Sequence, residues 1–154
     1  MKLSFKHGFT LVELLVVVAI MSVVSMIIFN TFVTFKTNQA LNMDTDTVVE
    51  VLRQARNQTL TSKNSSSYGV HFSSTKVTLF VGTSYIAGSP TNQDFILSST
   101  DTILTISLTP SGSDVVFDRL TGETVNYGTV VVSSPGISKS KTVTIYKTGL
   151  MEYQ

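Results

Sequence analysis

The chain of 154 residues contains no cysteine. That absence removes a disulfide framework, a thiolate nucleophile and cysteine-ligated zinc or iron–sulfur centres together. Charge is scarce too, at 14% of residues. Over residues 36–154 it balances, with six Lys and three Arg against six Asp and three Glu. A sparse, balanced set produces no global field to recruit nucleic acid or an acidic substrate. From Leu14 to Phe35 charge is missing for 22 residues, and from Phe9 to Tyr68, 60 residues, there is neither glycine nor proline.

What remains at the N-terminus is a helix with nothing in it that must break it. Twenty-two uncharged residues at about 1.5 Å per residue span roughly 33 Å, enough for the hydrocarbon core of a bilayer. Lys2 and Lys6 precede the run and Lys36 closes it, a pattern that leans toward a cytoplasmic N-terminus. A secretory signal peptide would have a shorter apolar region ended by a small-residue cleavage site. Here the run continues into polar, helix-like sequence, so it reads as a retained span. Glu13 stands at its edge. A carboxylate at the centre of a membrane helix costs about 2.5–3.5 kcal/mol and less near the interface, so the acid calls for a partner.

Beyond Lys36 the pattern becomes amphipathic. Leu41, Val48, Leu52 and Ala55 recur at steps of seven, four and three, while Asp44, Asp46, Glu50, Arg53 and Arg56 mostly face elsewhere. This half is expected to dock one stripe on a globular head, and "SKNSSS", Ser62 to Ser67, to end the helix. Strands are expected at Tyr68–Phe72, Lys76–Val81, Asp94–Leu97, Ile103–Leu108, Val115–Phe117, Thr129–Ser133 and Thr142–Tyr146, with Gly82, Pro90, Gly112, Gly122 and Gly136 between them. The expected fold is α+β. A long N-terminal helix, its apolar half protruding and its amphipathic half docked, packs on an antiparallel sheet.

The head offers few candidates for chemistry. His71 in "YGVHF" lies on the strand face opposite Val70 and Phe72 and is expected to be exposed; no nucleophile-elbow GxSxG accompanies it. Asp114, Asp118 and Glu123 carry oxygen ligands, but their spacing matches no EF-hand loop and they read as solvated turn residues. Glu50, Arg53 and Arg56 read as a surface salt-bridge face. Lys139, Lys141 and Lys147 form the densest basic stretch, with duplex DNA as an alternative ligand to solvent. No catalytic residue, cofactor or metal is expected.

"GFTLVELLVVVAIMSVV" resembles the prepilin leader and helix of type IV pilins and pseudopilins, in which a short basic leader ends in Gly, followed by Phe and, four residues later, Glu. Gly8, Phe9 and Glu13 match those positions. The resemblance implies a leader of residues 1–8, an assembly helix of residues 9–35 and a pilin-like head of residues 36–154. It implies cleavage between Gly8 and Phe9 by a membrane-bound prepilin peptidase and N-methylation of Phe9. Glu13 would pair with the cationic N-terminus of a neighbouring subunit.

It further implies a structural protein rather than an enzyme, held by one pass in the bacterial cytoplasmic membrane with its head outside the cytoplasm. Its partners would be other pilin subunits and an inner-membrane assembly platform. In the head, "LRQARNQTLTSKNSSSYGVHF", "KVTLFVG", "VVFDRLTGET" and "KTVTIYKTGLME" look like the H-type pseudopilins of type II secretion and the related T-type minor pilins. Some T-type minor pilins bind DNA through a basic tail in natural competence. The tail here, "TGLMEYQ", carries Glu152 and no Arg, a departure that weakens a DNA role.

Overall fold

The computed structural model describes residues 8–154, so Lys2, Lys6 and the rest of the leader before Gly8 lie outside the described residues. One helix, α1 (Leu11–Leu60), runs through two compact units, the first ending at Lys36 and the second spanning Thr37–Gln154.

In the first unit, every large apolar side chain from Leu11 to Phe35 is exposed. By length and composition the helix can cross a membrane. Three hydroxyls in this stretch are satisfied within the helix, as lipid requires. Ser22, Ser25 and Thr31 donate to the carbonyls of Val18, Met21 and Ile27 at 2.8, 2.7 and 3.1 Å. Lys36 closes the run with its Nζ 5.0 Å from the centroid of the Phe32 ring.

In the second unit the same helix turns amphipathic, and Leu41, Val48, Leu52 and Ala55 are all buried, as the spacing predicts. The buried arc is wider than that stripe, because Thr45, Val49 and Val51 join it. Asp44 departs from expectation. It is only 7% exposed, and its Oδ2 accepts the Ser98 N–H at 2.8 Å. The helix stops where polar residues enter the left-handed region, at Ser62 (φ 49°) and Asn64 (φ 53°). Thr59 ties this end to the first strand by accepting the Tyr68 N–H at 2.9 Å.

Eight strands follow, entirely antiparallel: β1 (Tyr68–Ser73), β2 (Lys76–Val81), β3 (Gln93–Ile96), β4 (Thr102–Thr109), β5 (Asp114–Val116), β6 (Tyr127–Ser134), β7 (Lys139–Ile145) and β8 (Met151–Tyr153). They form two four-stranded sheets, in the orders β3-β2-β1-β5 and β4-β6-β7-β8. The antiparallel pairing expected from sequence is present, divided between these two sheets. They share one core, to which α1 contributes Leu41, Val48 and Leu52, the first sheet Val70, Phe72 and Leu79, and the second Val130, Val132 and Val143. The tail also folds. Met151–Tyr153 pairs with β7, and Gln154 exchanges two backbone bonds with Thr142 at 3.0 and 3.1 Å.

Two glycines are demanded by close approach. A Cβ on Gly128 (φ 148°) would drive into the Ser107 carbonyl, and one on Gly69 into the Phe80 ring and the Val115 carbonyl. Phe80 is 1% exposed yet stands apart from the main core. It lies on the other face of the first sheet, edge-on to Tyr85 at 5.8 Å between ring centroids.

Candidate assembly site

Residues 8–10 are outside the helix. The Gly8–Phe9 peptide bond is thus on non-helical, exposed backbone, the form a protease can grip. Nothing among the described residues comes within 4 Å of a Cβ built on Gly8. Among the described residues nothing demands a glycine there. Phe9 is 85% exposed.

Glu13 has a partner that sequence reading overlooked. Thr10 is the residue before the helix, and its Oγ1 accepts the Glu13 N–H at 3.2 Å. The Glu13 carboxylate reaches back to the Thr10 N–H through Oε2 at 3.5 Å. This reciprocal pair is a capping box. It satisfies two backbone donors that a helix start leaves open, and it places negative charge at the positive end of the helix dipole. The pattern was readable in "TLVE" as Thr-x-x-Glu. Glu13 is also the one charged side chain between Phe9 and Phe35.

The head candidates disperse into structural roles. Val70 and Phe72 enter the core while His71 faces away, as the alternation predicts. His71 is half-buried rather than exposed, however: its Nδ1 donates to Asp114 Oδ1 at 2.5 Å, and its ring stacks on Tyr85 with centroids 3.9 Å apart. Beside it on the same sheet, Thr78 and Lys76 donate to Asp94 at 2.6 and 2.7 Å, and the Lys76 ammonium holds the Asp94 carboxyl below its usual range. Asp114 is thus a histidine partner. Asp118 and Glu123 close a turn through the Asp118 N–H and the Glu123 carbonyl at 2.8 Å. Among the described residues no group of three His, Cys, Asp or Glu side chains gathers around a metal-sized space.

Arg56 is not part of a surface salt-bridge face. Half-buried, its Nε donates to the Gly122 carbonyl at 3.2 Å, under a contact so close that a Cβ on Gly149 (φ 75°) would strike the same carbonyl. The Thr124 N–H meets the Lys147 carbonyl nearby at 3.0 Å. Arg53 lines a groove of about 630 Å³ along α1 with Asp46, Glu50, Phe95 and Tyr153. The three lysines do not form one patch: Lys139 donates to Asn38 Oδ1 at 2.8 Å, Lys141 lies over the Tyr153 ring at 5.0 Å, and Lys147 follows β7 beside the Arg56 turn.

A non-helical Gly-Phe bond, a capped helix start and a mainly apolar helix surface are the setting of the motif. A family model described as the prokaryotic N-terminal methylation motif matches residues 3–29. The chain carries the type IV pilin signature.

This pilin-type N-terminus implies processing by a prepilin peptidase and assembly with other pilin subunits, and it points to a structural subunit. Together with the apolar helix it fits a membrane-anchored pilin. The matched residues end at Phe29, before the head begins. No curated protein and no solved structure matches the chain.

Proposed function

We propose that this chain is a minor pilin or pseudopilin, a structural subunit of a type IV pilus or a type II secretion pseudopilus. It is stored in the bacterial cytoplasmic membrane through residues 9–35, with the head of residues 36–154 outside the cytoplasm. Prepilin peptidase cuts between Gly8 and Phe9, and the new Phe9 amino group is N-methylated. The observation that carries this reading is the arrangement at residues 8–13, where an exposed non-helical Gly-Phe bond precedes a helix that presents one carboxylate.

In a fibre, helix packing replaces lipid around the apolar surface, and an unpaired charge inside that bundle is heavily penalised. Glu13 and the cationic terminus of a neighbouring subunit offset each other's burial, which selects one axial register. In the head, "LRQAR", "DRLTGET" and "KTGLME" meet at Arg56, Gly122 and Gly149. This gives the segments resembling H-type pseudopilins and T-type minor pilins a shared structural role, and it supports that subgroup.

Intact mass of the purified protein tests the processing. In cells with prepilin peptidase, the expected chain begins at Phe9 and carries one added methyl group. A Gly8→Leu variant is expected to stay full-length, because the bulky side chain obstructs the peptidase while nothing among the described residues crowds it. A wild-type protein retaining Met1 through Gly8 in the presence of the peptidase would overturn the leader assignment.

A further inference from the structure

Arg53, Arg56 and Asn57 stand on one side of α1, since positions three and four apart are neighbours on a helix. With Gly149 and Leu150, in the turn before β8, and Met151 they line a cavity of about 290 Å³. The Arg56 guanidinium is held in place before any ligand arrives. Its Nε donates to the Gly122 carbonyl at 3.2 Å. A Cβ on Gly122 (φ 65°) or on Gly149 (φ 75°) would come within 3.1 or 2.8 Å of that same Nε. Two turn glycines therefore make room for the group and enclose it, which leaves its outer N–H donors to face the cavity's contents. The helix spacing alone would pair Glu50 with Arg53. Among the described residues, however, the ion pairs are His71–Asp114 and Lys76–Asp94, so neither Arg53 nor Arg56 is paired with a carboxylate.

Arginine keeps its charge at every ordinary pH, and its planar fork matches the two oxygens of a carboxylate. The cavity is at the small end of ligand sites, which run from about 300 to 1,000 Å³, so it suits a side chain rather than a nucleotide. Its surroundings select among anions. Arg53 also borders the groove lined by Asp46 and Glu50, and Glu50 is three residues, about 4.5 Å, back along the helix. Nucleic acid, with a charge about every 3.4 Å along each strand, would run onto these acids; one isolated carboxylate does not. The rim is apolar, since Leu150 is 58% exposed and the adjoining groove adds Phe95 and Tyr153. Such a rim can bury the residues that flank a carboxylate in a polypeptide, and a free small acid has none. We propose that Arg53 and Arg56 form a binding site for one carboxylate side chain of a protein partner, with the neighbouring residues of that partner against Leu150 and the Phe95–Tyr153 groove. Every residue of this site belongs to the second unit, and it serves the subunit in whichever fibre it joins.

The test uses the full chain in detergent micelles, labelled with nitrogen-15 arginine. The sequence has three arginines, Arg53, Arg56 and Arg119, so the Nε–H signals report the site and one internal control. The first probe is the blocked tripeptide acetyl-Val-Glu-Val-amide. It is expected to shift the Arg53 and Arg56 signals along one saturable curve and to leave Arg119 in place. Its glutamine counterpart is expected to bind at least about ten-fold more weakly, and Arg53→Gln to weaken the glutamate peptide by a similar factor, as the loss of a charge-assisted hydrogen bond requires. Acetate is expected to shift the same two signals with lower affinity than the peptide. Acetate binding as tightly as the peptide makes a free small acid the ligand and overturns the protein partner. Inorganic phosphate or a short DNA duplex binding more tightly than the peptide overturns the carboxylate assignment. Shifts that do not saturate, or that Arg119 shares, overturn the site.

Discussion

Glu13 answers to two partners at two stages. In the single chain it closes a capping box with Thr10; in the proposed fibre it meets a neighbouring amino terminus. The Thr10 N–H bond is long at 3.5 Å, so exchanging it for a charged partner costs little. Asp44 is the other acid out of place. Burial first, and then neighbouring Asp101, push its carboxyl above the usual range, against the lowering effect of the Ser98 N–H. A folded pKa above the unfolded value means that the stabilisation from protonating Asp44 is full below about 3.8. It is lost as pH rises through the raised value. Asp44→Asn keeps an acceptor for Ser98 and removes the titration. Thermal unfolding in detergent is expected to show this variant at least as stable as wild type at neutral pH, with its relative advantage shrinking on acidification. An advantage that grows toward acid would contradict the assignment. The helix spacing alone places Asp44 on the buried stripe, three residues after Leu41 and four before Val48; what it could not supply is the partner, the Ser98 N–H from a distant part of the chain.

At the level of elements, the docked half of α1 was legible because one side of a helix repeats at steps of three and four. Leu52 lies in that stripe at 0% exposure. Leu52→Ala should cost about 2–5 kcal/mol by leaving a cavity where helix and sheets meet, measurable by denaturant unfolding. Glu50→Ala, on an exposed position two residues away, should change stability by less than about 0.5 kcal/mol. Equal effects would mean that the head does not need this helix face. Seven strands were readable from β-branched runs, within a few residues at their ends. β8 was missed because it is three residues long, although the Gly149 turn that returns it onto β7 was visible in "KTGL". The split into two sheets was not legible. It depends on β5 pairing with β1 across more than forty residues, and local alternation carries no information about that partner.

For the whole molecule, the proposed function puts the assembly chemistry in the residues up to Lys36, and the matched motif, residues 3–29, does not reach the head. The two are legible to different degrees for a physical reason. A membrane span and a peptidase site are set by contiguous residues, whereas a head surface such as Lys139 beside Asn38 joins residues about a hundred positions apart. The central claim is that the charge of Glu13, beyond its role as a cap, admits the subunit to a fibre. Glu13→Gln isolates that charge, since glutamine still closes a capping box, while Glu13→Ala removes both. Each variant is co-expressed with the wild-type chain, and its share in membranes and in sheared fibres is quantified by mass spectrometry. Both variants are expected to insert and to be cleaved after Gly8, yet to be depleted in fibres at least about ten-fold, the effect of only 1.4 kcal/mol against the larger penalty of an unpaired buried amine. Glu13→Gln entering fibres in the same proportion as wild type would contradict the account.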